Sequence, residues 1–274
     1  MLAPVGSGSE QLFAIQPGES VNSVAFRLEE DNLIQDAAVF RLYMVYAGKD
    51  QTMQAGNYSL SPAMQPLKIA DLIQNPISQE VTFVILAGWR AEEIANLLPT
   101  SGLAITPGEF LRFIEMPAGL NLPEGVDAAN GLEGYLAPGE YQLRRDISVE
   151  NLVQTFLDRF AGELTQDMRA GFERQGLTVP EAVTLASIVE KEGVVDAERP
   201  MIASVFYNRL QAGMKLDSDP TVQYALGYNA NKQTWWTNPL SLDDLQTDSP
   251  FNTYLYAGLP QHSISNPGLT ALQA

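Results

Sequence analysis

The chain has 274 residues, 45% of them hydrophobic and 18% charged, which is typical of a folded protein long enough for two domains. Its formal net charge of −17 argues against nucleic acid or anionic membrane surfaces as electrostatic partners. Cysteine is absent and His262 is the single histidine, which excludes disulfides, thiolate nucleophiles and multi-histidine metal sites. The chemistry left to a catalytic site is that of carboxylates, hydroxyls and amides. No apolar run reaches the roughly 18 residues that a membrane-spanning helix needs.

Residues 1–10 are Gly/Ser-rich and are expected to be a flexible leader or the remnant of a truncation. Residues 11–77 predict a small α+β domain, because apolar and polar residues alternate up to a Pro17-Gly18 turn and helix-period patterns follow. The predicted elements are a strand ending at that turn, a helix from Ser20, a helix over Asp36–Tyr46, a strand within Gly56–Pro62 and a helix over Leu67–Gln74. The turn between strand and helix resembles that of LysM-like modules, which bind N-acetylglucosamine-containing glycans; a generic packing domain fits the same pattern.

The loop Asn75–Gln79 is the predicted boundary of a larger domain over residues 78–274. Val81–Leu86 is a continuous apolar run of strand length and predicts a buried strand. Helices are predicted at Arg90–Leu98, Thr106–Ile114, Ser148–Phe160 and Glu163–Gln175. Between the second and third of these, a turn-rich segment carries Glu133 beside tyrosines, a combination that suits sugar binding or an ordinary hairpin.

A helix beginning at Thr178 carries the principal candidate for catalysis. Thr178 and Glu181 form a capping-box pattern, and Pro180 lies in the first turn, where it is tolerated. At about 100° per residue, Glu192 falls on the same stripe as the apolar side chains of this helix, whereas Glu190 points away from it. A carboxyl at the end of an apolar stripe, near the negative end of a helix dipole, is expected to have a raised pKa, as a general acid needs. A solvated glutamate at a frayed helix end is the alternative.

Further along, Glu198–Leu210 predicts a helix whose core face includes Val205. Asp217-Ser218-Asp219 lacks the pattern of a calcium loop and predicts a turn with a helix cap. Trp235 and Trp236 lie in a polar loop. Such a pair is expected either to form a glycan-binding platform or to fold over and pack as core aromatics.

Four motifs then match a known family in order and spacing: LEGYLAPGEY, LASIVEKEG, ERPMIASVFYNRLQAGMKLDSDPTVQYALG and SPFNTYLYAGLPQHSISNPGL. Together they resemble the YceG-like endolytic murein transglycosylases over roughly residues 11–269. The resemblance implies a small LysM-like α+β domain followed by a larger mixed α/β catalytic domain, in which a helix carries the catalytic glutamate. It also implies an N-terminal anchor, absent from this chain, that holds the enzyme on the outer face of the cytoplasmic membrane.

The implied reaction cleaves the β-1,4 bond between N-acetylmuramic acid and N-acetylglucosamine inside peptidoglycan strands and leaves 1,6-anhydromuramoyl ends. The family's catalytic glutamate corresponds to Glu192. The predicted residues of the glycan cleft are Glu133, Tyr207, Asn208, Ser218, Asp219, Thr221, Tyr224, Asn252 and Tyr254. No metal and no cofactor are predicted; the predicted partners are peptidoglycan strands and cell-wall synthases such as penicillin-binding proteins.

The chain departs from the family pattern at several points: Ala87 replaces a usual glutamate, Pro138-Gly139-Glu140 replaces Pro-Asp-Thr, and Gly193 follows the EKE motif. The family usually continues beyond the NPGL motif, so a C-terminal truncation of the catalytic domain is expected. Two other functions stay open: a non-catalytic wall-binding or scaffold protein of the same fold, and a lysozyme-like hydrolase that pairs Glu192 with Glu133, Glu190 or Asp219.

Overall fold

The computed structural model describes residues 3–76 and 80–274, and the chain divides into two compact units, Met1–Glu80 and Val81–Ala274. Both units combine helices with short strands, which confirms the predicted α+β class. The end of the predicted boundary loop, residues 77–79, lies outside the described residues. Among the residues that are described, no helix is long and apolar enough to cross a membrane.

The first unit packs three helices against a two-stranded sheet. Its elements are β1 (Gln11–Ile15), α1 (Val21–Glu30), α2 (Ala37–Tyr46), β2 (Gly56–Leu60) and α3 (Pro66–Leu72). The strands pair antiparallel, with Gln11 opposite Leu60. The side chains of Ser20 and Asp36 cap α1 and α2 by accepting backbone hydrogen bonds, as short polar residues do at helix starts. The elements agree with those predicted from the sequence.

The second unit is mainly helical. Its elements are β3 (Glu80–Ile85), α4 (Ala91–Ser101), α5 (Pro107–Glu115), β4 (Gly139–Arg144), α6 (Val149–Glu163), α7 (Gln166–Arg174), α8 (Val179–Glu192), α9 (Arg199–Gln211), α10 (Asp219–Leu226) and α11 (Leu269–Leu272). The strands β3 and β4 form a two-stranded sheet. Phe83 and Phe156 stack with ring centroids 6.1 Å apart and join β3 to α6 in one apolar core.

Two predictions for this unit are wrong in detail. The strand β3, predicted to be fully buried, is buried on one face only. Val81 and Phe83 are buried, whereas Val84 and the following Leu86 are 40% and 52% exposed. A two-stranded sheet covered by helices on a single side leaves its other face in solvent, even where that face is apolar. On α9, Val205 is 48% exposed and does not belong to the core face.

Helix α8 lies between two apolar cores. Val183 and Ala186 pack into the core built on β3, β4 and α6, whereas Leu185 and Ile188 pack with residues of α9 and the C-terminal segments. Every residue from Ala182 to Val189 is buried as a result. The predicted capping box is present, because Thr178 and Glu181 exchange hydrogen bonds at the start of this helix. A helix held at its start and buried on all sides fixes the position of its last residue, Glu192.

Candidate functional site

The centre of the candidate site is the carboxyl of Glu192, which is half-buried at the end of α8. The Ser218 hydroxyl donates a hydrogen bond of 2.6 Å to Glu192 Oε1. Burial raises the pKa of Glu192 above its ordinary value; the Ser218 hydrogen bond opposes that rise, and the nearby negative charge of Asp219 adds to it. The direction of the shift is the one predicted from the sequence. A carboxyl in this environment holds its proton to higher pH than a solvated glutamate does.

Ser218 is fully buried and occupies the N-cap position of α10. Serine at this position usually accepts a hydrogen bond from the first turn of its helix, but Ser218 makes no such bond, because its hydroxyl points to Glu192. The backbone of Ser218 is held instead by Thr253 Oγ1, which accepts from Ser218 N at 3.1 Å. Thr221 Oγ1 donates to Ser218 O at 2.7 Å and lies 2.9 Å from Thr253 Oγ1. Two buried threonines from different segments therefore fix the serine that contacts the candidate acid.

The segments around Ser218 and Thr253 make a second contact, next to the Ser218–Thr253 hydrogen bond. The Tyr254 hydroxyl donates to Asp219 Oδ1 at 2.7 Å. Burial is the largest cause that raises the pKa of Tyr254 to about 12, and the negative charges of Asp219 and Glu192 add to it. The three groups therefore share one electrostatic environment. Asn252, fully buried, shapes the turn before Tyr254: its Nδ2 donates to two backbone carbonyls and its Oδ1 accepts from Tyr254 N.

Glu190 takes no part in this group, although it lies on the same helix as Glu192. Its Oε1 accepts from Arg199 Nη2 at 2.6 Å, and its Oε2 accepts from Gly268 N at 3.0 Å. The side chains of Glu190 and Arg199 are 6% and 9% exposed. Glu190 points away from the apolar stripe, as predicted, but it is buried all the same. The ion pair joins the end of α8 to the start of α9 and to the loop before α11.

Glu133 lies in a separate buried hydrogen-bonded group. Ala91 N donates to its Oε2 at 3.0 Å, and Asn266 Nδ2 donates to its Oε1 at 2.7 Å. Burial raises the pKa of Glu133 to about 8, and the hydrogen bond from Ala91 N opposes that rise. Asn266 also accepts from Gly134 N and Leu136 N and donates to Trp89 O, so one side chain ties together three segments.

The remaining predicted cleft residues lie apart from Glu192 in their contacts. The Tyr207 hydroxyl donates to Gln175 O, and its ring lines a cavity of about 430 Å³ between α7, α8, α9 and the C-terminal residues. Asn208 is exposed on α9. Tyr224 packs against Phe251, 4.7 Å between ring centroids, and lines a cavity with Glu133. Of the predicted set, hydrogen bonds join Glu192, Ser218 and Thr221 in one group and Asp219, Tyr254 and Asn252 in a second. The two groups adjoin because Ser218 and Asp219 are consecutive residues.

The tryptophan pair of the polar loop is part of a cation–π cluster. Lys191 Nζ lies 3.7 Å from the centroid of the Trp236 ring, whose Nε1 donates to Glu93 at 3.1 Å. The guanidinium carbon of Arg90, a residue only 4% exposed, lies 4.0 Å from the Tyr224 ring and 4.7 Å from the Trp235 ring. Trp236 is thus a packing residue, the second of the two alternatives raised by the sequence. His262 is also packed, 4.7 Å from the Phe251 ring, and its Nδ1 contacts Ser263 O.

Sequence patterns missed several residues of these networks. Thr253 and Asn266 lie inside the quoted FNTY and SNPG motifs, so the motifs themselves were the available signal. Arg199 opens α9 in the ERPM motif, where nothing local indicates its pairing with Glu190. Across the residues described by the structure, no group of three or more acidic or histidine side chains is placed to hold a metal ion.

A half-buried carboxyl with a hydroxyl donor and a second carboxylate close by is an arrangement suited to general acid–base catalysis. The chain belongs to the YceG-like family, whose model matches residues 13–274. It is similar to the endolytic murein transglycosylase of Bacillus subtilis, with 27% identity over 290 residues that cover all of this chain and 78% of the relative.

Identity to the endolytic murein transglycosylase of Streptococcus pneumoniae D39 is also 27%, over 299 residues; the match covers all of this chain but 53% of the relative, so the chain spans about half of that protein. Among solved structures, a YceG-like protein of Listeria monocytogenes is similar, with 30% identity and a TM-score of 0.62, covering 97% of this chain and 89% of that one.

Proposed function

We propose that this protein is an endolytic lytic transglycosylase of peptidoglycan. It would cleave the β-1,4 bond between N-acetylmuramic acid and N-acetylglucosamine within glycan strands and leave 1,6-anhydromuramoyl ends. The observation that carries the proposal is the Glu192 carboxyl, half-buried, raised in pKa and contacted by the Ser218 hydroxyl at 2.6 Å. The names of the two transglycosylase relatives support the substrate class.

In the proposed mechanism one carboxyl serves twice. Protonated Glu192 donates its proton to the glycosidic oxygen as the bond to the anomeric carbon breaks through an oxocarbenium-like state. The resulting carboxylate accepts the proton of the muramoyl 6-hydroxyl, whose oxygen attacks the anomeric carbon of the same sugar. Glu192 ends with its proton restored, and no water is consumed. Burial favours the protonated form needed first, while the Ser218 hydrogen bond stabilises the carboxylate formed in between.

The surroundings of the other carboxyls favour the lytic reaction over hydrolysis. A hydrolytic pair needs a second carboxylate free to act as a nucleophile or to activate water. Glu190 is paired with Arg199, and both carboxyl oxygens of Glu133 accept hydrogen bonds in a separate buried group, from Ala91 N and Asn266 Nδ2. Asp219 is the remaining candidate of the three, and it accepts a hydrogen bond from Tyr254. A hydrolase built on Glu192 and Asp219 would yield reducing ends instead of anhydro ends.

The test is a digest of purified peptidoglycan, followed by mass spectrometry of the soluble products. The wild type is expected to release anhydromuramoyl products and Glu192→Gln none. Glu198→Gln, which changes an exposed glutamate nearby, serves as the matched control and should behave as the wild type. Equal yields from Glu192→Gln and wild type would overturn the assignment of Glu192. Absence of products from every variant would favour a non-catalytic wall-binding or scaffold protein.

For the first unit, the proposed role is LysM-like binding of the same glycans, based on its small α+β build and the turn between β1 and α1. The proposed substrate implies that the enzyme works outside the cytoplasmic membrane, where cell-wall synthases are its proposed partners. Binding of insoluble peptidoglycan by Glu192→Gln, compared with a chain lacking the first unit, tests this role: equal retention would contradict it.

A further inference from the structure

A cavity of about 450 Å³ lies at the C-terminal end of α10 and has no part in the network around Glu192. This volume falls in the usual range for sites of small ligands. The residues Leu226 and Gly227 at the end of α10 form one wall, and the other lining residues are Tyr228, Asn229, Lys232, Thr237, Pro239, Ser241 and Asp244. One aromatic ring surrounded by amide, ammonium, hydroxyl and carboxylate groups is the chemistry that recognises a sugar.

The aromatic wall is held in place by a short hairpin. Asn229 and Thr234 form an antiparallel bridge, with backbone hydrogen bonds of 2.8 and 3.3 Å, so the adjacent Tyr228 and Trp235 come together. Their ring centroids are 5.1 Å apart. The guanidinium carbon of the buried Arg90 lies 4.7 Å from the centroid of the Trp235 ring and supports that ring, while Tyr228 remains 50% exposed. An exposed ring on a rigid support can cover an apolar sugar face without losing much conformational entropy.

The polar groups of the cavity keep hydrogen-bonding capacity. Asn229 Oδ1 accepts from the backbone amides of Asn231 and Lys232, and within the described residues its Nδ2 donates to no partner. Lys232 Nζ donates to the carbonyls of Asn238 and Pro239, which leaves one of its three donors. These N–H groups suit the carbonyl of an acetamido substituent and the oxygens of sugar hydroxyls.

Helix α10 sets the separation between the cavity and the candidate acid. Its first residue follows Ser218, which contacts Glu192, and its last residue lines the cavity. Eight residues of helix span about 12 Å. A short run of linked sugar rings covers that distance, so one strand could occupy both places.

We propose that this cavity is a distal subsite for an N-acetylhexosamine residue of the glycan strand, with Tyr228 stacking on the sugar ring and Asn229 and Lys232 binding its acetamido and hydroxyl groups. The inference rests on the proposed function for the choice of strand. It would explain how an enzyme that cuts within a strand holds the polymer away from the bond that it breaks.

The test uses Glu192→Gln protein, so that no ligand is cleaved, titrated with N-acetylglucosamine dimer, tetramer and hexamer. Binding at the cavity is followed through the indole N–H signal of Trp235 in two-dimensional NMR, assigned with Trp235→Phe. This signal separates the cavity from any binding by the first unit. The hexamer is expected to shift the Trp235 signal with the highest affinity. Tyr228→Ala is expected to weaken that binding about tenfold, through loss of the apolar area of its ring.

Tyr256→Ala is the matched control, because Tyr256 is 49% exposed and lies outside the cavity. An unmoved Trp235 signal at saturating hexamer, or equal affinities for Tyr228→Ala and Tyr256→Ala, would overturn the subsite. The peptidoglycan digest keeps the two proposals apart. Lytic products without a Trp235 response would support the proposed function and contradict the subsite. A Tyr228-dependent Trp235 response without lytic products would support the subsite and contradict the proposed function.

Discussion

Replacing Ser218 with alanine tests the contact that distinguishes Glu192 from its neighbours on α8. The hydroxyl is fully buried and donates to Glu192 Oε1 at 2.6 Å, so no water takes its place without rearrangement. A hydrogen bond to a charged group contributes about 1.5–3 kcal/mol. Its loss from the state with ionised Glu192 corresponds to a fall in kcat/KM of roughly 10- to 160-fold.

The same substitution has a signed effect on pH dependence. Because the Ser218 hydrogen bond lowers the pKa of Glu192, its removal raises that pKa. The acid form of Glu192 then persists to higher pH, and the alkaline limb of the pH–rate profile moves to higher pH. The assay is the rate of release of anhydromuramoyl products across a pH series. Ser265→Ala is the control, because Ser265 is equally buried but bonds to Ser187 O. A Ser218→Ala variant that keeps the wild-type rate, or whose alkaline limb moves to lower pH, would refute this role of the Ser218 hydrogen bond.

The remaining predictions concern the groups around this contact. Asp219→Asn removes a charge that raises the pKa of Glu192, so the alkaline limb of the same profile should move to lower pH; an unchanged limb would contradict the coupling. Arg199→Met leaves the Glu190 carboxylate buried without its partner, and should lower the free energy of unfolding in urea by about 3–5 kcal/mol. A loss below about 1 kcal/mol would mean that the pair is solvated. Asn266→Ala removes four hydrogen bonds and should lower the free energy of unfolding in urea by about 3 kcal/mol. An unchanged free energy of unfolding would mean that water replaces these bonds.

The helices could be predicted from the sequence because their signals are local. The capping box of Thr178 and Glu181 fixes the start of α8 within four residues of chain, and the helical period places Glu192 on the stripe of Leu185 and Ile188. Burial on the other faces could not be predicted this way. It depends on two separate cores meeting at α8 and on the pairing with Arg199, so no local pattern indicates that the side chain of Glu190 is buried.

The contacts of the candidate site were beyond local patterns for a related reason. Ser218 lies 26 residues from Glu192, and Thr221 and Thr253 are 32 residues apart. Such pairings follow from the packing of α8, α10 and the C-terminal segments, and no periodicity encodes them. The motifs showed which segments matter, but Asn252, expected in the cleft, is occupied in shaping a turn. The exposed outer face of β3 was missed because an apolar run does not reveal that only one side of a sheet is covered.

The central claim is that Glu192 transfers a proton to and from the substrate's own hydroxyl, without water. The most direct measurement is a peptidoglycan digest carried out in water enriched in oxygen-18, with mass spectrometry of the newly formed muramoyl ends. The account predicts anhydro ends with no added water and no label, and their loss in Glu192→Gln. Reducing ends that carry the heavy oxygen would contradict it and would assign hydrolysis, with Asp219 as the second carboxylate to test.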